Sequence, residues 1–176
     1  MTKKTTLIIV VCALLATASL AAAQTTTLSV AVGPEASLTV TTGTTTLTTG
    51  STTFGNPYTG TTSLTYLIRT TKVGGTGSVT LKVTTDFGPA GGPLVATPPS
   101  AGDALTYTCT VSTPGTACTG SQTASTTAST PFATFGTAAN STKAGNTASA
   151  AWSLTDDPVY ATGTYTATTT FTISAA

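Results

Sequence analysis

Histidine does not occur in this 176-residue chain, and charged residues make up only 6% of it. Without imidazole the usual general base, the usual zinc ligand and every serine or cysteine triad built on His are excluded. The scarcity of charge excludes a second class. Apart from Lys3 and Lys4, the cations are Arg69, Lys72, Lys82 and Lys143, set against Glu35, Asp86, Asp103, Asp156 and Asp157. Four scattered cations cannot neutralise a row of phosphates, so no nucleic acid is expected as a partner. Low charge also means weak self-repulsion, which permits copies of the chain to approach one another closely.

Phosphate loops are missing as well. Gly55-Asn56-Pro57-Tyr58-Thr59-Gly60 has the glycine spacing of one, but Thr61 stands where the lysine must be. The turn Gly74-Gly75-Thr76-Gly77 lacks both the third glycine and a following helix of a dinucleotide fingerprint. Adjacent carboxylates occur once, at Asp156-Asp157. Neighbours on a strand point to opposite faces, so this pair does not converge on one bond as glycoside hydrolysis requires. Followed by Pro158, it reads as the start of a turn, the competing use being a share in a Ca²⁺ site completed by loop carbonyls. No enzymatic activity, cofactor or metal is expected. Arg69, Lys72 and Lys82 read as solvated charges on strand faces, and Glu35, just after Gly33-Pro34, as a turn residue.

Long apolar runs are confined to the amino terminus. Lys3 and Lys4, the apolar stretch Leu7 to Leu15 and the small residues Ala21-Ala22-Ala23 follow one another as the parts of a secretory signal. Residues 1–23 are expected to be a cleaved signal peptide and residues 24–176 a single secreted domain, extracellular or at the cell surface after passing the periplasm. No membrane span is expected in the mature chain.

What the chain has in abundance is threonine, in runs such as Thr25-Thr26-Thr27 and Thr168-Thr169-Thr170. Its branched Cβ suits a pleated strand, and its hydroxyl keeps an exposed face wet. Between the threonines, apolar residues recur at every second position, the signature of strands with one buried face. Leu28, Val30 and Val32 form one such set, then Leu38 and Val40, then Leu64, Tyr66 and Ile68. Val79, Leu81 and Val83 follow the glycine turn, and those two segments are expected to form a hairpin. Leu105, Tyr107, Cys109 and Val111 come next, then Ala148, Ala150, Trp152 and Leu154. Tyr165, Ala167, Thr169, Phe171 and Ile173 close the series. No apolar spacing of three and four residues appears after the signal segment. The expectation is an all-β, immunoglobulin-like antiparallel sandwich of roughly seven to ten strands.

Once Cys12 is removed with the signal, Cys109 and Cys118 remain as a pair expected to form a structural disulfide across a hairpin turning at Ser112-Thr113-Pro114-Gly115. The proline- and glycine-rich stretch 88–102 reads as a long surface loop and a candidate binding loop. Tyr58, in a glycine and proline loop, is the candidate for exposed recognition, whereas the inward phase of Trp152 assigns it to the core. Asn140-Ser141-Thr142 is a glycosylation sequon.

The segment Gly163-Thr164-Tyr165-Thr166-Ala167-Thr168-Thr169-Thr170-Phe171-Thr172-Ile173 resembles the closing strand of bacterial secreted immunoglobulin-like sandwiches, among them spore coat U and archaic chaperone-usher pilin subunits. Trp152-Ser153-Leu154-Thr155-Asp156-Asp157-Pro158 also resembles the tryptophan-x-leucine element of WxL surface domains. Either resemblance implies a non-enzymatic role at the bacterial surface. The expected function is that of a structural or appendage subunit, with Leu28, Val30 and Val32 available to complete a neighbour's sheet, although pairing of that segment within its own domain is the simpler expectation. The alternative is a secreted adhesion module for carbohydrate or another surface protein.

Overall fold

The computed structural model describes residues 24–176; the expected signal segment, 1–23, lies outside the described residues. The chain divides into an amino-terminal unit, of which residues 24–31 are described, and a β domain spanning residues 32–176. Residues 24–31 carry no strand.

Nine strands make up the described structure: β1 (Glu35–Val40), β2 (Tyr58–Arg69), β3 (Gly77–Gly88), β4 (Thr106–Val111), β5 (Thr116–Ala117), β6 (Gln122–Thr123), β7 (Thr130–Phe135), β8 (Asn146–Leu154) and β9 (Thr166–Ala175). They form two antiparallel sheets, one in the order β1-β2-β8-β4-β6 and the other in the order β5-β7-β3-β9. The domain is a β-sandwich. Among the described residues there is no helix, and none therefore that is long and apolar enough to cross a membrane.

The alternation dictates this arrangement because each strand turns every second side chain to the same side. Leu64, Tyr66 and Ile68 of β2 are buried, as are Val79, Leu81 and Val83 of β3 and Ala148, Ala150, Trp152 and Leu154 of β8. Tyr107 on β4 and Phe132 and Phe135 on β7 complete the centre of the core. Polar atoms that enter this layer bring partners with them. Trp152 Nε1–H donates to Thr62 Oγ1 at 2.8 Å, and Tyr107 Oη bonds to Thr130 Oγ1 at 2.6 Å and donates to the Pro131 carbonyl at 2.8 Å. The core assignment of Trp152 is thus met.

Two local expectations are corrected. β2 and β3 do not form a hairpin: β2 pairs with β1 and β8, and β3 with β7 and β9. Both strands have a strongly apolar face, and placing them in opposite sheets lets those faces meet across the core. The connection at 70–76 crosses between sheets, with the Thr71 and Thr76 N–H groups donating to the Ala176 carbonyl at 3.1 and 3.2 Å. Likewise β4 and β5 belong to different sheets, so Cys109 and Cys118 do not face each other across a hairpin. Their disulfide is formed, with Cα atoms 5.5 Å apart, and it ties β4 of one sheet to the end of β5 in the other. It closes the side of the sandwich where the edge strands β5 and β6 have only two residues each.

The opposite side is built differently. There the edges are β1, six residues long, and β9, ten residues long. Their inward side chains, including Leu38, Phe171 and Ile173, are only half-buried, and Val40 remains 42% exposed although its register partner Leu64 is sealed. β1 and β9 lie side by side along this edge, with their inward side chains only half-covered.

Replacing Cys109 and Cys118 together by Ser is expected to lower the unfolding free energy by about 2.5–3 kcal/mol, the chain-entropy value for so short a ring. Urea denaturation of the oxidised protein against the double variant measures it, and an unchanged midpoint would show that the cross-link does not hold the two sheets together.

Candidate functional site

The richest grouping of polar side chains lies where two connections meet at one end of the sandwich: residues 89–105, between β3 and β4, and residues 155–165, between β8 and β9. Proline and glycine keep the first out of regular structure, as the sequence implied. Asp86, near the end of β3, holds it in place. Asp86 Oδ1 accepts the N–H groups of Phe87 and Val95, each at 2.7 Å, and Oδ2 accepts that of Ala96 at 3.0 Å. Burial alone would raise the pKa of this carboxyl, but the three N–H donors outweigh it and hold the group below the usual carboxylate value.

The second connection is fastened to the first at several points. Thr155 Oγ1 donates to the Gly102 carbonyl at 3.1 Å, and the Ala161 N–H donates to the Gly91 carbonyl at 2.8 Å. The Tyr165 ring lies against Gly92, where a Cβ would come within 2.3 Å of the ring, so only glycine fits. Gly102, at φ 98°, occupies the left-handed region that favours glycine and stands directly before Asp103.

Asp103 is only 3% exposed, and its Oδ2 is sealed without a hydrogen-bond partner. Tyr160 Oη, also sealed, lies beside the same carboxylate; burial first, then the hydrogen bond and charge of Asp103, raises the phenol pKa. Asp157 opens a turn as the sequence suggested: its Oδ1 accepts the Val159 N–H at 2.7 Å, and its backbone carbonyl accepts the Tyr160 N–H at 3.1 Å. The Ser100 hydroxyl and the Val159 N–H lower the pKa of Asp157, and the Asp103 carboxyl lies within hydrogen-bonding reach of it. Asp156 turns instead toward Tyr58, whose phenol pKa is raised by burial and by that carboxylate. Among the described residues, no three Asp, Glu, Cys or His side chains converge as a metal-binding group.

Apart from Tyr58, which meets Asp156, the other residues singled out in the sequence lie away from these two connections. Tyr58 is the first residue of β2, half-buried against the core, rather than a loop residue. Glu35 begins β1 instead of forming a turn, and pairs with Arg69 at 2.9 Å on an exposed face, so Arg69 is not a free solvated charge. Asn140 is exposed, its side-chain amide donating to the Ala138 carbonyl at 2.8 Å. Leu28, Val30 and Val32 are 90%, 85% and 63% exposed. A shallow cleft of about 420 Å³ beside Arg69, Lys72 and Asn140 involves neither residues 88–102 nor Tyr58.

Asp86, Asp103 and Tyr160 were not singled out by sequence pattern. Each is a lone polar residue in or beside a loop, and only the folding back of two connections gives it partners.

Fold and site together define an all-β sandwich with an anchored loop platform at one end. The chain matches no protein-family model, no curated protein and no solved structure.

Asp86→Ala is expected to destabilise the domain by about 1–3 kcal/mol at pH 7, because three N–H groups lose a charged acceptor. The folded-state pKa of Asp86 is depressed, so its contribution is fully present above the unfolded value near 3.9 and disappears as pH falls through the lower folded value. Denaturation curves of both proteins from pH 7 to pH 2.5 should converge toward the acid end; a gap independent of pH would contradict the assigned role.

Proposed function

We propose that this protein is a non-enzymatic structural subunit of an extracellular or cell-surface assembly, in which residues 25–32 of one copy add as a strand to the free β1 or β9 edge of the next. The observation that carries the reading is the pairing of two unmet needs. Leu28, Val30 and Val32 alternate with Ser29 and Ala31 as a strand requires, yet they have no strand and stand in solvent. The β1 and β9 strands leave one edge of each sheet unpaired, and their inward side chains are only half-covered. Natural sheets normally blunt such edges with very short strands, as β5 and β6 do here. Strand addition would satisfy backbone groups along one edge, while alternate apolar side chains complete the core beneath it. Each valine or leucine buried in this way contributes roughly 1.5–3 kcal/mol. Near-zero net charge removes the repulsion that would oppose close packing of copies.

Secretion supplies the setting for this reading, and the disulfide accords with an oxidising compartment. The resemblance of the closing strand to spore coat U and archaic pilin subunits points the same way, as does that to WxL domains. The alternative, a module binding carbohydrate or another protein through residues 88–102 and Tyr58, has less support, because that loop is clamped by Asp86 and Tyr58 is half-buried.

Purified protein comprising residues 24–176 is expected to form higher-order species in size-exclusion chromatography with light scattering and in electron micrographs. The triple variant Leu28→Asp, Val30→Asp, Val32→Asp should be monomeric with an unchanged melting temperature. A strictly monomeric wild type, or assembly that persists in the triple variant, would overturn strand addition by this segment.

A further inference from the structure

Asp103 poses a problem that the strand-addition reading does not touch. A carboxylate 97% withdrawn from solvent requires compensation by hydrogen bonds or by positive charge. The Oδ2 atom has neither a hydrogen bond nor a cationic side chain: the salt bridge among the described residues joins Arg69 to Glu35, on another face. A second acid, Asp157, lies within hydrogen-bonding reach of it, so that two carboxyl groups meet at this place with no cationic side chain paired to either. A third oxygen, Tyr160 Oη, is sealed beside Asp103 within hydrogen-bonding reach of that carboxyl. The Ser100 side chain reaches the same place through Asp157.

We infer that Asp103 and Asp157 are the charged ligands of a Ca²⁺ site that joins the 89–105 and 155–165 connections, with Ser100 and Tyr160 at its margin. The donor set consists of oxygen alone, in a chain without histidine, which suits a hard cation rather than a transition metal. The oxygens come from irregular loops and not from a regular octahedral cage, which favours Ca²⁺, with its six to eight ligands and tolerant geometry, over Mg²⁺. Only two carboxylates take part, since Asp156 faces Tyr58, so backbone carbonyls and water must complete the shell. So few charges place the affinity in the weak range of extracellular modules, with Kd on the order of 0.1–1 mM. Bound Ca²⁺ would fasten together the two connections that already meet at Thr155–Gly102 and Ala161–Gly91.

The test is thermal unfolding of the residue 24–176 protein, the Asp103→Asn variant and the Asp157→Asn variant, each in chelator, in Ca²⁺ up to 10 mM and in Mg²⁺. Terbium emission sensitised by Tyr160 provides a direct binding readout. Wild type should gain about 3–11 °C at 10 mM Ca²⁺, saturably and with less effect of Mg²⁺, and should sensitise terbium in competition with Ca²⁺. Both responses should be lost in Asp157→Asn, whose half-exposed side chain leaves folding intact even if Asp103→Asn does not fold. No Ca²⁺ response in wild type, or an equal response in Asp157→Asn, overturns the site. So does a wild type in chelator that gains stability over Asp157→Asn from pH 7 to pH 5, since that pattern marks a shared proton in place of a cation.

Discussion

A chain of four aromatic rings in contact holds the two sheets together. Trp152 on β8 meets Tyr107 on β4 at 5.4 Å between ring centroids, Tyr107 stacks toward Phe132 on β7 at 6.4 Å, and Phe132 meets Phe171 on β9 edge-on at 5.4 Å. The chain of contacts therefore starts in one sheet and ends at the far edge of the other. A second contact, Tyr66 to Phe135 at 5.2 Å, repeats the crossing. Aromatic rings supply much apolar area for few conformational degrees of freedom, which suits a chain with only 6% aromatic residues. Their polar atoms then set further requirements: Thr62 must face the Trp152 indole, Thr130 and the Pro131 carbonyl the Tyr107 hydroxyl, and the Ser112 carbonyl the Tyr66 hydroxyl.

The two sides of the sandwich differ because these crossings are unequally reinforced. Where β4 passes to β5, the Cys109–Cys118 bond and the Tyr66 hydroxyl beneath the 112–115 turn close the structure. Toward β1 and β9 no comparable fastening exists among the described residues, and Phe171 and Ile173 stay half-covered. Apolar side chains are thus covered more completely on one side of the core than on the other.

The loop end shows the same economy of polar groups. One carboxylate, Asp86, satisfies three backbone N–H groups and so fixes the course of the connection that carries Asp103. Threonine supplies most of the remaining hydroxyls. With so little charge in the chain, a buried carboxylate such as Asp103 stands out, and the lack of a nearby cationic side chain gives it a meaning that it would not have in an ordinary surface.

Strand positions and inward faces were legible in the sequence because alternation is local: Leu64 to Ile68, Val79 to Val83 and Ala148 to Leu154 each declare a buried face within a few residues. The inward place of Trp152 and the Cys109–Cys118 pairing were legible for similar reasons, one from phase and the other from the small number of available thiols. Partner choice was not. Alternation specifies which face of β2 is dry but not that its neighbours are β1 and β8, so the expected β2–β3 hairpin and the hairpin around the disulfide both gave way to crossings between sheets. The burial of Asp103, the half-covered edges at β1 and β9 and the exposure of Leu28 and Val30 likewise belong to the tertiary structure alone. Each depends on contacts, or on their absence, between segments far apart in the chain, and a period of two residues carries no information over that distance.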